Sequence, residues 1–419
     1  MTPAAPDTVT FEDIERAAER LDDPTVVKRT PVDRSTTLEA MTGAEAVQLK
    51  FEHLQWTGSF KPRGAYNKIQ TLLEEGPVER VVAASAGNHA QGVALSATKL
   101  DVDALIVMPK TAPQTKIDAT RGYGATVELV GQDFQAAMRH ARELATGTDT
   151  AFVHAYDDPA IVAGQGTLGI DMHDDVATLD TVVVPIGGGG LISGVATALD
   201  ELSPDTRVVG VQAAGAATVA DSLDKGHPQT MDVVDTVADG IATGGISELT
   251  LGIIERHVDD IVTVTDGEIA DAILLLMERA KQVVEGAAAA SVAALRSDAL
   301  DVRDERVMAL LCGGNLDMTT MQAILIHSLT HRKQILRFRV KIDDRPGKMA
   351  EIAGVIADND ANIQTVRHDR AVEALDVGEA YLQFQVETSG IGHAKAIIGA
   401  INEVGYEVER IDAEEGDSW

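Results

Sequence analysis

Thr181-Val182-Val183-Val184-Pro185-Ile186-Gly187-Gly188-Gly189-Gly190-Leu191 joins an apolar, β-branched run to four glycines and then to an alanine-rich helical stretch. A continuous apolar strand followed by a turn and a helix is typical of a parallel sheet buried on both faces. The same alternation extends from about residue 10 to residue 325, with further strands predicted at 80–84, 104–108, 126–130, 208–212 and 306–311. We therefore predict an α/β fold, with ligands bound at the carboxyl ends of the strands.

A second pattern follows the α/β region. The stretch 327–339 is locally basic and is expected to be a connector. After it, the periodicity predicts strands at 336–342, 362–368, 379–386 and 406–411 and helices at 346–358 and 392–404. The order βαββαβ is that of a ferredoxin-like module. We predict a catalytic domain at 1–328 with a smaller lobe at about 50–155, a linker at 329–336, a second domain at 337–412 and an acidic tail at 413–419.

The composition limits the possible partners. The 419 residues carry a net charge of −31, which argues against nucleic acid and anionic membranes as partners and is typical of proteins adapted to high salt. The sequence has no apolar run long enough to span a bilayer and no pattern of a signal peptide. The single cysteine, Cys312, is consistent with a reducing cytoplasm. We expect a cytoplasmic protein from a halophilic source.

The glycine run, Gly187, Gly188, Gly189 and Gly190, is a candidate phosphate site. Backbone amides without side chains can close around a phosphate, and the dipole of the following helix adds positive potential. Ser193 stands where the third glycine of a dinucleotide-binding loop would be, and no P-loop lysine follows. A monophosphate cofactor therefore fits better than NAD or ATP. The alternative is that the glycines serve packing alone.

Two further segments contain candidate chemistry. In Ser59-Phe60-Lys61-Pro62-Arg63-Gly64-Ala65, Lys61 opens a helical run and is a candidate Schiff-base lysine, although most loop lysines are solvated and inert. Ser85-Ala86-Gly87-Asn88-His89 follows the strand at 80–84, and its turn offers free amides to a substrate carboxylate. A plain capped turn is the alternative for this segment.

The fourth segment is Cys312-Gly313-Gly314-Asn315, which follows the strand at 306–311. A lone cysteine is usually a small core residue, and no basic residue adjoins Cys312 in sequence to activate its thiol. His327 and His331 have the spacing of metal ligands on a helix, but no glutamate of the H-E-x-x-H type lies between them. We predict no metal site at these two histidines.

Taken together, the four segments resemble the fold-type II pyridoxal-phosphate enzymes, and among them the threonine dehydratases. The resemblance covers about residues 10 to 325 and also includes Arg29-Thr30-Pro31 and Gly164-Gln165-Gly166-Thr167. It implies two open, twisted, mostly parallel sheets with helices on both faces. It also implies roles for single residues: Lys61 carries the cofactor, Phe60 flanks its ring, Asn88 meets its 3′-hydroxyl, Gly187 to Gly190 hold its phosphate, Cys312 faces its ring nitrogen, and Ser85, Ala86, Gly87, Asn88 and His89 receive the substrate carboxylate.

Departures from related enzymes refine this expectation. Ala86 stands where the related racemases have a serine that acts as an acid–base group, so racemisation should be poor. Gln212 and Thr218 stand where those racemases have carboxylate ligands for a divalent cation, so we predict no metal there. We expect deamination of threonine to 2-oxobutanoate and ammonia. The alternatives are a serine-preferring dehydratase of the same family, an amino-acid sensor without activity, and a protein that binds nucleotides through its glycine run.

The C-terminal module resembles the ACT domain, a regulatory domain that binds amino acids. The resemblance rests on Asp343-Asp344-Arg345-Pro346-Gly347-Lys348-Met349 and on Ala361-Asn362-Ile363. It implies an effector site, with Asp344, Pro346, Gly347, Asn362 and Ile363 as the candidate residues and isoleucine as the expected effector of an enzyme of isoleucine biosynthesis. It also implies a homodimer or homotetramer. A purely structural dimerisation module is the alternative.

Overall fold

The computed structural model describes residues 9–147, 149–372 and 375–411. The predicted acidic tail at 413–419 lies outside the described residues. The chain divides into two compact units, Met1–Asp317 and Met318–Trp419. The division lies eleven residues before the predicted end of the catalytic domain at 328, because the helix Met318–His331 belongs to the second unit.

The helices of the first unit are α1 (Phe11–Arg20), α2 (Thr36–Thr42), α3 (Lys61–Glu75), α4 (Asn88–Lys99), α5 (Gln114–Gly122), α6 (Phe134–Leu144), α7 (Pro159–Asp175), α8 (Gly190–Leu202), α9 (Val219–Lys225), α10 (Glu248–His257), α11 (Asp266–Leu275) and α12 (Gly286–Arg296). Its strands are β1 (Val32–Arg34), β2 (Ala46–Lys50), β3 (Arg80–Ala84), β4 (Asp103–Met108), β5 (Thr126–Leu129), β6 (Thr150–Phe152), β7 (Thr181–Pro185), β8 (Arg207–Ala213), β9 (Asp260–Val264) and β10 (Arg306–Leu310). Short 3₁₀ turns lie at Glu52–Leu54, Ala214–Ala216 and Asp239–Ile241, and a π turn lies at Leu276–Ala280.

Within the described residues, the strands of the first unit form two sheets. The larger sheet has the order β1-β2-β10-β7-β8-β9, and all its neighbours are parallel except β1 and β2. The smaller sheet has the order β5-β4-β3-β6 and is parallel throughout. Every residue of β7 is buried, as its valine-rich sequence predicts for a central strand. The predicted α/β architecture is confirmed.

The smaller sheet has its own core between strands and helices. Val81 and Ile106 of the sheet, together with Val93 and Ala97 of α4, are buried in one apolar cluster. The helix α3 packs both on α4 and on α7, whose neighbour is α8. Gly92 of α4 approaches Lys61, and Gly164 of α7 approaches Arg63 and Gly64, so the start of α3 is held between helices on two sides.

The second unit has the helices α13 (Met318–His331), α14 (Lys348–Asp358) and α15 (Ile391–Glu403) and the strands β11 (Ile335–Asp343), β12 (Asn362–Asp369), β13 (Glu379–Glu387) and β14 (Val408–Arg410). The antiparallel sheet has the order β12-β13-β11-β14, and α14 and α15 share its buried apolar core. From β11 onward the elements follow the predicted βαββαβ order. Residues 332–334 separate α13 from β11, whereas the predicted linker covers 329–336.

No helix within the described ranges is both long enough and apolar enough to cross a membrane.

Candidate active site

The four candidate segments all lie where an element begins or a strand ends. Lys61 is the first residue of α3, the turn before α4 follows β3, the glycine run follows β7, and Cys312 follows β10. Direct hydrogen bonds join some of them: the Phe60 amide donates to the Cys312 carbonyl (3.2 Å), and the Asn315 side chain donates to that of Asn88 (2.8 Å). Residues from both sheets therefore meet at one place.

The Lys61 ammonium nitrogen faces this meeting point. Its Nζ donates to the carbonyl oxygen of Ala155 (3.1 Å) and lies 4.9 Å from the centre of the Phe60 ring. Burial lowers the pKa of Lys61 to about 8, against the opposing effects of Cys312 and Glu285. A lysine with a pKa near neutrality supplies the free amine that a nucleophile or a base requires.

Gly92 of α4 allows this helix to approach Lys61. A Cβ atom at Gly92 would lie 2.9 Å from the Lys61 Cβ and 3.0 Å from the Lys61 carbonyl carbon. Such distances are shorter than van der Waals contact between carbons. The backbone of Lys61 is therefore held against α4 at a point where only glycine fits.

The glycine run forms a cradle at the start of α8. Gly189 has a φ of +88° and caps the helix, so the first amides of α8 have no acceptors within the helix. A Cβ at Gly188 would lie 2.2 Å from the ring of Tyr156, and the Thr250 hydroxyl donates to the Gly188 carbonyl (2.9 Å). Bare backbone at a helix N-terminus fits a phosphate group.

The turn 85–89 presents mostly backbone. The Ser85 hydroxyl accepts from the Gly87 amide (3.1 Å), and a Cβ at Gly87 would meet nothing within 4 Å, so the turn has open space beside it. His89 is buried and its Nε2 bonds to the Val153 carbonyl (2.9 Å). Burial, with the charge of Lys61, lowers the pKa of His89 to about 3. His89 is thus a neutral side chain that anchors the turn.

Cys312 is buried, with 2% of its surface exposed. Burial and the charge of Glu285 raise the pKa of its thiol well above the ordinary value. The side chain is therefore a neutral thiol near Lys61, which agrees with the expectation that Cys312 is not a nucleophile.

Several residues at this site were not singled out from the sequence. Tyr156 lies against the glycine run, and the buried carboxyl of Glu285 accepts from Asn88 Nδ2 (2.8 Å). The only signal for Glu285 was an acidic residue immediately before the apolar run 286–295. Tyr156 carried no signal in the sequence.

Beneath the start of α3, Arg63 is buried with its charge paired. Its Nε donates to Glu52 (2.7 Å) and one terminal nitrogen donates to Asp171 (2.6 Å), while the other donates to Thr167 (3.1 Å). The two carboxylates raise the pKa of Arg63 and outweigh the effect of its burial. This network ties the helix that begins with Lys61 to the 3₁₀ turn that follows β2 and to α7.

Both polar atoms of the Gln212 side chain are engaged in local hydrogen bonds. Gln212 Oε1 accepts from the amides of Thr218 (3.1 Å) and Val219 (2.9 Å), and its Nε2 donates to the Ala216 carbonyl (3.2 Å). Within the described part of the chain, no group of three or more His, Cys, Asp or Glu residues is placed to hold a metal ion.

The candidate effector residues do not form one site within a single chain. Asp344 lies at the end of β11 and accepts from Arg370 (2.5 Å), and Gly347 caps α14 with a φ of +97° after Pro346. Asn362 and Ile363 open β12 at the opposite end of the sheet. On β13, Asp343 pairs with Glu379 and Asn362 pairs with Glu387. At the rise per residue of a β-strand, Glu379 and Glu387 are about 26 Å apart.

Comparisons with known proteins identify the family of this chain. The family model described as pyridoxal-phosphate dependent enzyme matches residues 24–313. An L-threonine ammonia-lyase of Thermotoga maritima is 42% identical over 96% of this chain and 99% of its own length. The processed threonine deaminase isoform 2 of Solanum lycopersicum matches 77% of this chain and 96% of its own, with 34% identity and a TM-score of 0.71. A maize serine racemase matches 78% of this chain and all of its own, with 32% identity and a TM-score of 0.71. The chain belongs to the family of pyridoxal-phosphate-dependent enzymes.

Proposed function

We propose that this enzyme is a threonine ammonia-lyase, which converts L-threonine to 2-oxobutanoate and ammonia. The observation that carries the proposal is the buried Lys61 amine, with a pKa lowered to about 8, at the point where the four segments meet. The resemblance to curated threonine ammonia-lyases supports the choice of substrate.

The site fits pyridoxal phosphate. Lys61 would hold the cofactor covalently, and the backbone of Gly187 to Gly190 would hold its phosphate. A side chain at Gly188 has no room there, since its Cβ would meet the ring of Tyr156. Phe60 would lie beside the ring, with Asn88 at the 3′-hydroxyl and Cys312 at the ring nitrogen. When bound, the cofactor withdraws electrons from the α-carbon of the substrate.

The residues of this chain supply the proton chemistry. The amine of Lys61, once released from the cofactor, is placed to take the α-proton on Nζ, and its lowered pKa keeps much of it in the free-base form. Ser85 to His89 would bind the substrate carboxylate with backbone amides. Ala86 cannot carry a proton to the opposite face, so elimination is favoured over racemisation.

The neutral thiol of Cys312 also favours elimination. An aspartate at that place would keep the ring nitrogen protonated and strengthen electron withdrawal. A thiol whose pKa is raised by burial cannot supply that charge. The weaker withdrawal favours rapid loss of the β-hydroxyl over transamination.

A deamination assay tests the proposal. We expect turnover of threonine to exceed that of serine, and a strong preference for serine would overturn the substrate assignment. The change Lys61→Ala should abolish both deamination and the visible absorbance of the bound cofactor. The matched control is Lys99→Ala, an exposed lysine in the last turn of α4, which should change neither.

We further propose that the second unit is an ACT-type regulatory domain of an isoleucine-inhibited, biosynthetic enzyme. Because its two candidate segments lie at opposite ends of one sheet, the effector site would require two copies of the chain. Isoleucine should lower the rate of a dimer or tetramer, and Asn362→Ala should weaken that inhibition without changing the uninhibited rate. Equal rates with and without isoleucine would contradict this.

A further inference from the structure

A chain of polar groups leads from the loop before Lys61 to a buried carboxyl. The Nδ2 of Asn315 donates to the backbone carbonyl of Thr57 (2.7 Å) and to the side-chain oxygen of Asn88 (2.8 Å). The Nδ2 of Asn88 donates in turn to Oε1 of Glu285 (2.8 Å). Every contact in this relay has the length of a good hydrogen bond.

The relay determines which way each amide points. A backbone carbonyl can only accept, so the atom of Asn315 that faces Thr57 must be its nitrogen. That nitrogen has two hydrogens, and the second meets Asn88, which must therefore present its oxygen. The nitrogen of Asn88 then faces Glu285, whose carboxylate can only accept. The Thr57 carbonyl thus sets the orientation of both amides, and that orientation matches the acceptor oxygen that Glu285 presents.

Glu285 is fixed as the last acceptor. It is 8% exposed, and its amide donates to the Gly313 carbonyl (3.1 Å). A Cβ at Gly313 would lie 2.2 Å from its Oε1, and one at Gly240 would lie 2.7 Å from the same atom. Two glycines thus leave room for this carboxyl, and its environment gives it little freedom to move.

We propose that Glu285 and Asn315 are positioning residues that act on the cofactor through Asn88. The amide of Asn88 has two N–H groups, and only one is used by Glu285. The other is then held free to donate to an anionic oxygen of the cofactor, and the amide cannot turn to present its oxygen instead. This inference rests on the proposed placement of the cofactor beside Asn88.

The charges around Glu285 oppose one another. Burial and Asp239 raise its pKa, while the hydrogen bond from Asn88 and the charges of Lys116 and Lys61 lower it. Asn88 is oriented in the same way in either ionisation state of Glu285, because a protonated carboxyl still has an acceptor oxygen for Asn88.

The test measures cofactor binding to the apoenzyme, separately from activity. Pyridoxal phosphate is titrated into wild-type, Glu285→Gln, Glu285→Leu and Asn315→Asp protein, and the Kd and the position of the visible absorbance maximum are recorded. Glu305→Gln is the matched control, since this half-buried glutamate pairs with Arg207 just before β10.

Glu285→Leu removes the acceptor, and Asn315→Asp removes the donor with almost no change in shape. Each should raise the Kd about ten-fold, which corresponds to the loss of one hydrogen bond to a charged group. Each should also shift the absorbance maximum. Glu285→Gln keeps an acceptor and should stay within about three-fold of the wild type, like Glu305→Gln.

The outcomes separate the two proposals. If wild-type protein binds the cofactor and both Glu285→Leu and Asn315→Asp bind it with unchanged Kd and spectrum, the relay has no positioning role, while the proposed function stands. If Glu285→Leu does not fold, the isosteric Asn315→Asp decides alone. Failure of the wild-type protein to bind pyridoxal phosphate would overturn both proposals.

Discussion

Replacing Gly92 by alanine should damage the site through Lys61 alone. The new Cβ would lie 2.9 Å from the Lys61 Cβ, whereas carbon atoms in contact prefer at least about 3.5 Å. The two backbones must therefore separate by about 0.6 Å. If Lys61 moves by that amount, its hydrogen bond to Ala155 lengthens from 3.1 Å to about 3.7 Å and is lost.

The effects of Gly92→Ala on stability and on function differ in size. Alanine is favoured over glycine inside a helix by about 1 kcal/mol, while overpacking costs about 1–3 kcal/mol, so the net loss of stability is at most about 2 kcal/mol. Displacement of a catalytic group by such a distance can lower the rate by about ten- to one hundred-fold. We expect a nearly normal fold with weak deamination and weak cofactor binding.

The control for Gly92→Ala is Gly252→Ala in α10, where a Cβ would meet nothing within 4 Å. This change should raise the unfolding temperature by about 2 °C and leave activity intact. The assays are threonine deamination, cofactor titration and thermal unfolding of both variants. Wild-type activity and cofactor affinity in Gly92→Ala would refute the idea that Lys61 is held against α4.

Further changes test the buried groups of the site. Arg63→Met leaves the carboxylate of Glu52 buried without its charged partner, so the free energy of unfolding in urea should fall by about 3–5 kcal/mol. A loss below about 1 kcal/mol would contradict a stabilising role of the Arg63 network. Because burial lowers the pKa of Lys61 to about 8, the rate at which apoenzyme takes up the cofactor should rise with pH and level off above about 8. A rise continuing to the ordinary lysine value of 10.5 would show that Lys61 is not desolvated. The Cys312 thiol should resist thiol reagents in the native protein and react only after denaturation, as followed by absorbance.

The sequence was sufficient to predict those strand–helix units whose strands form clear apolar runs, namely β3, β4, β5, β7, β8 and β10. The strand predicted at 80–84 is β3, and that predicted at 181–186 ends one residue earlier as β7. The strands β1, β2, β6 and β9 were not predicted. Of these, β1 and β6 have three residues each, too few for a periodicity. The connector predicted at 327–339 overlaps the last turns of α13, because basic residues there obscured the apolar pattern of that helix.

The residues of the site likewise fall into those that the sequence could indicate and those that it could not. Lys61, the glycine run and Cys312 could be found because each adjoins a strand or helix end with a recognisable local pattern. Glu285 and Tyr156 reach the site only through tertiary contacts, and no local spacing marks them. The effector residues were chosen by resemblance, and the antiparallel course of β13 places them at both ends of the sheet.

Lys61 is the residue assigned here as the covalent anchor of the cofactor. Reduction of the holoenzyme with borohydride fixes the cofactor on its lysine, and peptide mapping by mass spectrometry then identifies the residue. This assignment predicts a phosphopyridoxyl group on the peptide that contains Lys61. A label on another lysine, such as Lys116 near the same site, with Lys61 unmodified, would contradict it.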